Sequence, residues 1–254
     1  IFMLATYFLY FGVLVFKLPW WLSFIMAIFL TALTGILTEK IAYRPLRKAP
    51  RISILISAIG VSFFLQNISV VIFSGIPKSF TRPEVFSKTF IFGDVRISSI
   101  NIASFIISFI FMMALIYIIY RTKTGLAMRA ISTDLEAARL MAIDVNKTVS
   151  TTFGIGSALA AVGGILWALK YPQIFPFMGM IPGLKAFIAA VLGGIGNIAG
   201  AMIGGFILGL TEILLVTFLP GLSGYRDAFA FLILILILLF KPDGIMGKNV
   251  QEKV

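Results

Sequence analysis

Hydrophobic residues occupy long continuous runs of this chain, and polar residues are confined to the short segments between them. The runs lie at about 1–16, 20–38, 52–73, 98–120, 148–169, 183–218 and 225–240. Most have the length of a membrane span, because roughly 20 apolar residues make a helix that crosses the hydrocarbon of a bilayer. The pattern predicts an all-α fold, a polytopic inner-membrane helical bundle with about seven to eight hydrophobic spans or half-spans, surrounded by membrane lipid.

Composition excludes a soluble protein. The chain has 254 residues, of which 60% are hydrophobic, and only 21 basic and 10 acidic residues carry a formal charge. So few charges cannot cover a body of this size with a water-facing surface. There is no cysteine and no histidine, which removes disulfides, thiolates, and the commonest metal ligand and proton shuttle. We therefore predict no catalytic, metal-binding or cofactor-binding residue.

The basic residues are unevenly distributed between the hydrophobic runs. Segments 39–51 and 121–147 hold five each, and the tail after 240 holds three, so 13 of the 21 lie in these three places. Lysine and arginine are enriched in the cytoplasmic loops of membrane proteins. The net charge of +11 is thus mainly a topology signal with no need for a nucleic-acid partner, and it predicts a cytoplasmic C-terminus.

Run 183–218 cannot be a single simple span. With 39–51 and 121–147 inside, the loops near 74–97 and 170–182 lie outside, so this run begins and ends outside. Its 36 residues are too few for two full spans, and at its centre the sequence reads Gly193-Gly194-Ile195-Gly196-Asn197. This string predicts a break between a short helix and a longer one. Irregular backbone within a membrane is tolerated where it is buried in protein or lines an aqueous cavity.

Small and polar residues inside the runs allow two interpretations each. Gly196, Gly200 and Gly204 repeat at every fourth position, as do Gly156, Ala160 and Gly164, which favours close helix packing. The alternative is that the Gly193–Asn197 break frames a substrate path, as discontinuous helices do in transporters. Polar residues of the third run, and the acidic residue within run 183–218, either bond to neighbouring helices or line that path. The path candidates are Ser57, Gln66, Asn67, Gly193, Gly194, Gly196, Asn197 and Glu212.

Segment 121–147 is longer than a simple connection between spans requires. Within it, Asp134–Ala142 predicts a short amphipathic helix whose start Thr133 or Ser132 can cap. Such a helix either lies on the membrane or docks to a cytosolic partner. The residues assigned to docking are Asp134, Glu136, Ala137, Ala138, Arg139 and Ala142. On the opposite side, residues 90–97 alternate about Gly93-Asp94 and predict a small hairpin.

The sequence contains no phosphate-binding loop, and Glu212, the only acidic residue deep inside a hydrophobic run, is the only acid available for proton coupling. This favours a passive pathway component that another subunit drives, without its own enzymatic activity. Two alternatives belong to other functional classes: an ion-coupled carrier that acts alone, and a membrane-embedded enzyme. The enzyme would need converging reactive groups that this composition hardly offers.

Four strings resemble a known family. They are ArgProLeuArg at 44–47, the stretch 52–67 beginning IleSerIleLeu, the stretch 185–212 from Lys185 to Glu212, and LysProAspGlyIleMetGly at 241–247. The chain resembles the permease subunits of branched-chain amino acid ABC importers, of the LivH type rather than the LivM type, nearly from end to end. The resemblance implies one transmembrane permease domain over 1–254, with 121–147 as a cytoplasmic coupling segment, in the inner or plasma membrane of a prokaryote.

The resemblance also implies an assembly. A second permease subunit of the LivM type, two cytosolic ATPase subunits and an extracytoplasmic solute-binding protein would work with this chain on an amino-acid substrate. Urea, short amides or other amino acids are the alternatives among relatives. The family has a further N-terminal helix, so we expect the chain to lack it. In the coupling segment Ala142 stands where glycine is usual, and Asp144 where asparagine is usual.

Overall fold

The computed structural model describes residues 1–80, 82–83, 86–92, 95–194, 196–241 and 244–247. Within these, six helices are long and apolar enough to cross a membrane: Trp20–Tyr43, Ile52–Phe73, Ser99–Arg121, Val145–Lys170, Ile198–Phe218 and Ser223–Phe240. Two shorter apolar helices cover Phe2–Val15 and Met180–Gly193. The polytopic helical bundle expected from the hydrophobic runs is confirmed. The chain divides into two compact units, Ile1–Gly179 and Met180–Val254.

The first unit contains seven α-helices in the described residues. They are α1 (Phe2–Tyr10, continued by a π-helical turn Phe11–Val15), α2 (Trp20–Thr38, continued by a π-helical turn Glu39–Tyr43), α3 (Arg51–Phe73), α4 (Ser99–Arg121), α5 (Lys123–Thr133), α6 (Leu135–Leu140) and α7 (Val145–Lys170). A 3₁₀ turn, Pro45–Lys48, lies between α2 and α3. Pro19 and Pro50 immediately precede α2 and α3, where a missing backbone N–H leaves no helical hydrogen bond unmade. The short helix α5 was not expected from the sequence.

Two short strand pairs lie outside these helices. Strand β1 (Lys78–Ser79) pairs antiparallel with β4 (Gln173–Ile174), and β2 (Thr89–Phe92) pairs antiparallel with β3 (Val95–Ser98). The second pair confirms the predicted hairpin, although its Gly93-Asp94 turn lies outside the described residues. Since β1 follows α3 and β4 follows α7, the loops after these two helices lie on one side of the first unit, as the predicted topology requires.

Small residues bring α1, α2 and α7 together. Gly35 of α2 lies so close to Ser157 of α7 that an added Cβ would overlap its side chain, and Gly164 of α7 lies against the backbone of Phe2. Around them, Tyr7 is fully buried and stacks on Phe73 with ring centroids 4.4 Å apart. The expected packing role is thus confirmed for Gly164.

Not every glycine of the predicted small-residue faces is used for packing. A Cβ at Gly156 or at Gly196 would have no atom within 4 Å. On α7 the close approach to α2 uses Gly154 instead, whose added Cβ would lie 3.1 Å from the Ile36 side chain. The packing face of α7 is therefore rotated from the one that the every-fourth-residue pattern suggested.

In the residues that the structure describes, the second unit contains three α-helices. They are α8 (Met180–Gly193), α9 (Ile198–Phe218) and α10 (Arg226–Phe240), with a 3₁₀ turn Pro220–Tyr225 before α10. At 1.5 Å per residue α8 is about 21 Å long and α9 about 32 Å, which confirms a short helix and a longer one on either side of the predicted break. Ile188, Leu208 and Ala230 form the buried core of this unit.

Candidate functional site

Helix α6 begins at a side-chain cap. The carboxylate oxygen Oδ1 of Asp134 accepts hydrogen bonds from the backbone N–H of Glu136 at 2.9 Å and of Ala137 at 3.0 Å. The predicted caps, Thr133 and Ser132, belong to α5 instead, and both hydroxyls donate to the carbonyl of Arg129. Asp134 is preferred as a cap because its carboxylate also interacts favourably with the positive end of the helix dipole.

Helix α6 ends in a Schellman motif. The N–H of Ile143 donates to the carbonyl of Ala138, and the N–H of Ala142 donates to the carbonyl of Arg139, both at 3.1 Å. This pair of hydrogen bonds requires a residue in the left-handed backbone conformation, and Ala142 has a φ of 58°. Asp144, two residues after Ala142, caps α7: its Oδ1 accepts a hydrogen bond from the N–H of Lys147 at 3.0 Å. The joint between α6 and α7 is therefore fixed by hydrogen bonds at every step.

We expect the substitution Ala142→Gly to stabilise this joint. An L-residue in the left-handed region carries a steric cost that glycine lacks, so the gain is about 1 kcal/mol after the added freedom of the unfolded chain is counted. The measurement is the thermal unfolding of the purified chain and the rate of amide exchange at 140–146. The control is Ala137→Gly inside α6, which should destabilise, and equal effects of the two variants would contradict the explanation.

Two large apolar side chains are exposed at the C-terminal end of α6, which lies outside the candidate spans. Leu140 and Met141 are 88% and 78% exposed, whereas Ala138 is 3% exposed. Glu136 and Arg139 are exposed beside them. Exposed apolar side chains beside charged ones mark a contact area for another protein or for the membrane surface.

The path candidates on α3 do not bond to other helices within the described part of the chain. The amide nitrogen of Asn67 donates to the Phe63 carbonyl at 2.8 Å, and that of Gln66 donates to Ser62 Oγ at 3.4 Å. Ser57 is half-buried. Gln66 also lines a cavity of about 80 Å³. The other lining residues are Ile1, Phe2, Met3, Ser62, Leu65, Pro176 and Gly179.

The predicted break is a real interruption between α8 and α9. Gly194 and Gly196 adopt φ values of 109° and 87°, which an L-residue rarely adopts; Ile195 lies outside the described residues. Asn197 caps α9 by accepting from the N–H of Gly200 at 3.0 Å, and its amide nitrogen donates to the Met246 carbonyl at 2.9 Å. The path assignment of Gly193, Gly194, Gly196 and Asn197 remains a prediction.

The segment after α10 covers this break. The N–H of Ile245 donates to the Leu192 carbonyl at 2.9 Å, and the N–H of Met246 donates to the Gly193 carbonyl at 3.0 Å. These bonds satisfy carbonyls at the end of α8 that have no partner within the helix. The break therefore lies at the end of the unit where α10 terminates. Pro242 and Asp243 of the 241–247 string, and the basic residues Lys248 and Lys253, lie outside the described residues.

Glu212 belongs to an ion cluster that joins all three helices of the second unit. Its Oε1 lies 2.7 Å from Nζ of Lys185, and the same Nζ lies 2.8 Å from Oδ1 of Asp227. The side chains of Glu212, Lys185 and Asp227 are 17%, 20% and 49% exposed. With all three ionised the cluster carries one net negative charge. At 1.5 Å per residue, Glu212 lies about 22 Å along α9 from Asn197.

Sequence reasoning missed two ion clusters. Lys185 was counted only as a basic residue outside the three rich segments, although a lysine and a glutamate in one hydrophobic run signal an intramembrane pair. The second cluster surrounds Glu39, which is fully buried between Arg44 and Arg47. Its signal was an acid at the end of a run, followed within eight residues by two arginines.

Comparison with known proteins gives a consistent result. The family described as "Branched-chain amino acid transport system / permease component" matches residues 1–238. The high-affinity branched-chain amino acid transport permease BraD of Pseudomonas aeruginosa is 43% identical over 239 residues, 91% of this chain and 76% of the relative. LivH of Salmonella typhimurium and LivH of Escherichia coli K12 are 42% and 41% identical over 237 residues, with the same shares covered. No solved structure matches.

Proposed function

The chain belongs to the family of branched-chain amino acid transport permeases, and from this premise we propose that it is the translocation subunit of an ATP-driven importer of branched-chain amino acids. A second permease subunit, two cytosolic ATPases and an extracytoplasmic solute-binding protein complete the assembly. The observation that carries the proposal is the near end-to-end similarity to BraD and LivH, together with six helices in the described part of the chain that are long and apolar enough to cross a membrane.

The α6 region supports the ATPase partnership. Its residues lie outside the candidate spans, its one buried side chain is Ala138, and Leu140 and Met141 are left bare. The hydrogen-bonded joint at Ala142 fixes α6 to α7, a helix of 26 residues. A docking helix with a stiff connection to a spanning helix passes displacement into the membrane, whereas a helix that only rests on lipid needs no such joint.

Two features support a hydrated path for a zwitterion. Gln66 and Ser62 present polar groups to a cavity, and the Lys185 cluster offers both signs of charge. Ionisable residues within spanning helices are candidates for a substrate or ion pathway by default. The C-terminus is cytoplasmic in this proposal, since the three basic-rich segments then share one side.

The function is tested with the complete assembly in proteoliposomes that enclose ATP. Labelled leucine, presented on the outer solute-binding protein, should accumulate only with hydrolysable ATP, and isoleucine and valine should compete while urea and acetamide should not. If only urea or amides compete with leucine, the substrate class is urea or short amides instead of branched-chain amino acids. Leucine uptake by this chain without ATPases, driven by a proton or sodium gradient, would overturn the proposal.

Reversing one charge on α6 is expected to weaken ATPase binding. Glu136→Lys and Arg139→Glu each place a wrong charge on the exposed surface of α6, so ATPase co-purification and uptake should fall by about tenfold. Membrane insertion should not change. The control is Lys123→Glu, an exposed charge reversal on α5. Normal co-purification from both α6 variants would contradict docking at this helix.

A further inference from the structure

A buried ionic cluster joins the end of α2 to the beginning of α7. Glu39, in the π-helical turn that ends α2, is fully buried. Ser150 Oγ of α7 donates to Glu39 Oε2 at 2.6 Å, and the Arg44 guanidinium donates to Ser150 Oγ at 3.0 Å. Arg47 pairs with Glu39 Oε1 through Nη2, and its Nη1 donates to Asn146 Oδ1 at 2.7 Å. We call these five residues the Glu39 cluster.

The Glu39 cluster includes two arginines at the 3₁₀ turn that leads into α3. Arg44 precedes this turn and Arg47 lies within it, and α3 begins at Arg51 after Pro50. The position of the start of α3 is therefore set by two arginines bound to α7 and to the buried carboxylate. A buried carboxylate held by two guanidinium groups and a hydroxyl has few alternative arrangements, because each lost partner leaves a charge uncompensated.

The first half of α3 has little other support within the first unit. Ser69 is the one buried residue of α3 among those whose burial is described, and it lies in the last turns of the helix. Phe73, also near the end, stacks on Tyr7. In the first half Ile52, Ile56 and Ile59 are 70%, 65% and 59% exposed. The Glu39 cluster thus holds the chain immediately before α3, whose first half has no buried residue among those whose burial is described.

We propose that the Glu39 cluster makes the first half of α3 follow α7 when α6 is displaced. The proposal rests on the proposed function, since it needs a partner that moves α6. Displacement of α6 reaches Val145 through the joint at Ala142, and Asn146 and Ser150 lie in the first two turns of α7. Arg47 and Glu39 then carry it to α3, the helix with the path candidates Ser57, Gln66 and Asn67. Arg47 and Asn146 are positioning residues in this scheme.

The test measures ATP hydrolysed per leucine transported by the complete assembly in proteoliposomes. Arg47→Ala and Asn146→Ala should raise this ratio by about fivefold, within the range for one residue of a coupling network. ATPase binding and hydrolysis should stay near wild type, because Arg44 and Ser150 still hold the Glu39 carboxylate. Arg47→Lys keeps the charge and should recover part of the coupling. The matched control is Lys40→Ala, an exposed cation in the same π-helical turn, which should leave the ratio unchanged.

A reversible cross-link separates coupling from folding. The chain has no cysteine, so the double variant Arg47→Cys and Asn146→Cys offers a unique pair for a short bifunctional thiosulfonate reagent. Before cross-linking, the double variant should hydrolyse more ATP per leucine than wild type. Cross-linking should restore the wild-type ratio, and reduction should raise it again. Neither single-cysteine variant should respond to the reagent. A parallel fall of uptake and hydrolysis, or an unchanged ratio, would overturn the proposal. If the wild-type assembly shows no ATP-dependent uptake, the proposed function itself fails.

Discussion

Replacing Lys185 with methionine is expected to abolish uptake and to destabilise the second unit. The Lys185 ammonium is the shared partner of Glu212 and Asp227, so its removal leaves two neighbouring carboxylates, of which Glu212 is mostly buried, without their cation. Removing one partner of a buried ion pair costs about 3 kcal/mol, and the partial exposure of this cluster lowers the expected cost to about 1–2 kcal/mol. The measurements are leucine uptake by the complete assembly and thermal unfolding of the purified chain in detergent. Arg226→Met, an exposed cation at the start of α10, is the control.

The double variant Lys185→Met and Glu212→Leu separates stability from transport. It removes the less exposed ion pair as a whole, and Asp227 at 49% exposure keeps much of its hydration. Replacing a complete buried pair by apolar side chains is often neutral for stability, so thermal unfolding should return towards wild type while uptake stays low. Recovery of wild-type uptake in this double variant would reduce the cluster to a packing element.

Two single variants at Glu212 then distinguish charge from hydrogen bonding. Glu212→Gln keeps an acceptor for the Lys185 ammonium, whereas Glu212→Leu removes it. We expect the larger uptake defect in Glu212→Leu if the hydrogen bond matters, and equal defects if the negative charge is needed. Wild-type uptake in both would contradict a transport role for this residue.

The hydrophobic pattern was sufficient to predict the spanning helices because it depends only on the hydrophobicity of each residue, which does not require knowledge of its neighbours in the fold. Apolar length predicted each long helix, and the Gly193–Asn197 string predicted the break, since only glycine tolerates φ values such as those of Gly194 and Gly196. The side on which loops lie in the first unit also followed from the sequence, through parity. Pairing of β1 with β4, and of Arg47 with Asn146, agrees with it.

Partnerships between helices were beyond the sequence because they depend on rotation about each helix axis. The repeat of Gly156, Ala160 and Gly164 identified one face of α7, yet the close approach to α2 uses Gly154 and Ser157. Likewise, Glu212 was identified and Lys185 in the same run was an overlooked signal, but the contact of Lys185 with Asp227 on a third helix was not indicated by the sequence. The N-cap of α6 is Asp134, one residue after the predicted Thr133. Thr133 is still part of α5, where its hydroxyl donates to the Arg129 carbonyl.

Substituting Gly204 with alanine is expected to force α8 and α9 apart. An added Cβ would overlap the carbonyl oxygen of Ala189 and lie 2.9 Å from the backbone nitrogen of Gly193. Both are backbone atoms of α8, so no side chain can move to make room. Overpacking of this kind costs about 3 kcal/mol. Because Gly193 also accepts the Met246 hydrogen bond, separation of the helices should release the segment that covers the break.

The same helix supplies a graded control for this effect. Gly209→Ala places a Cβ with no atom within 4 Å, and Gly205→Ala places one at 3.8 Å from the Ala189 Cβ. Alanine is favoured over glycine inside a helix by about 1 kcal/mol, so Gly209→Ala should be neutral or stabilising, and Gly205→Ala at least neutral. Thermal unfolding in detergent and protease cleavage after 241 provide the measurements. All three glycines lie in one hydrophobic helix of nearly uniform composition, so only the distance to α8 distinguishes them. Equal stability of the three variants would therefore show that α8 and α9 are not in the close contact on which this explanation depends.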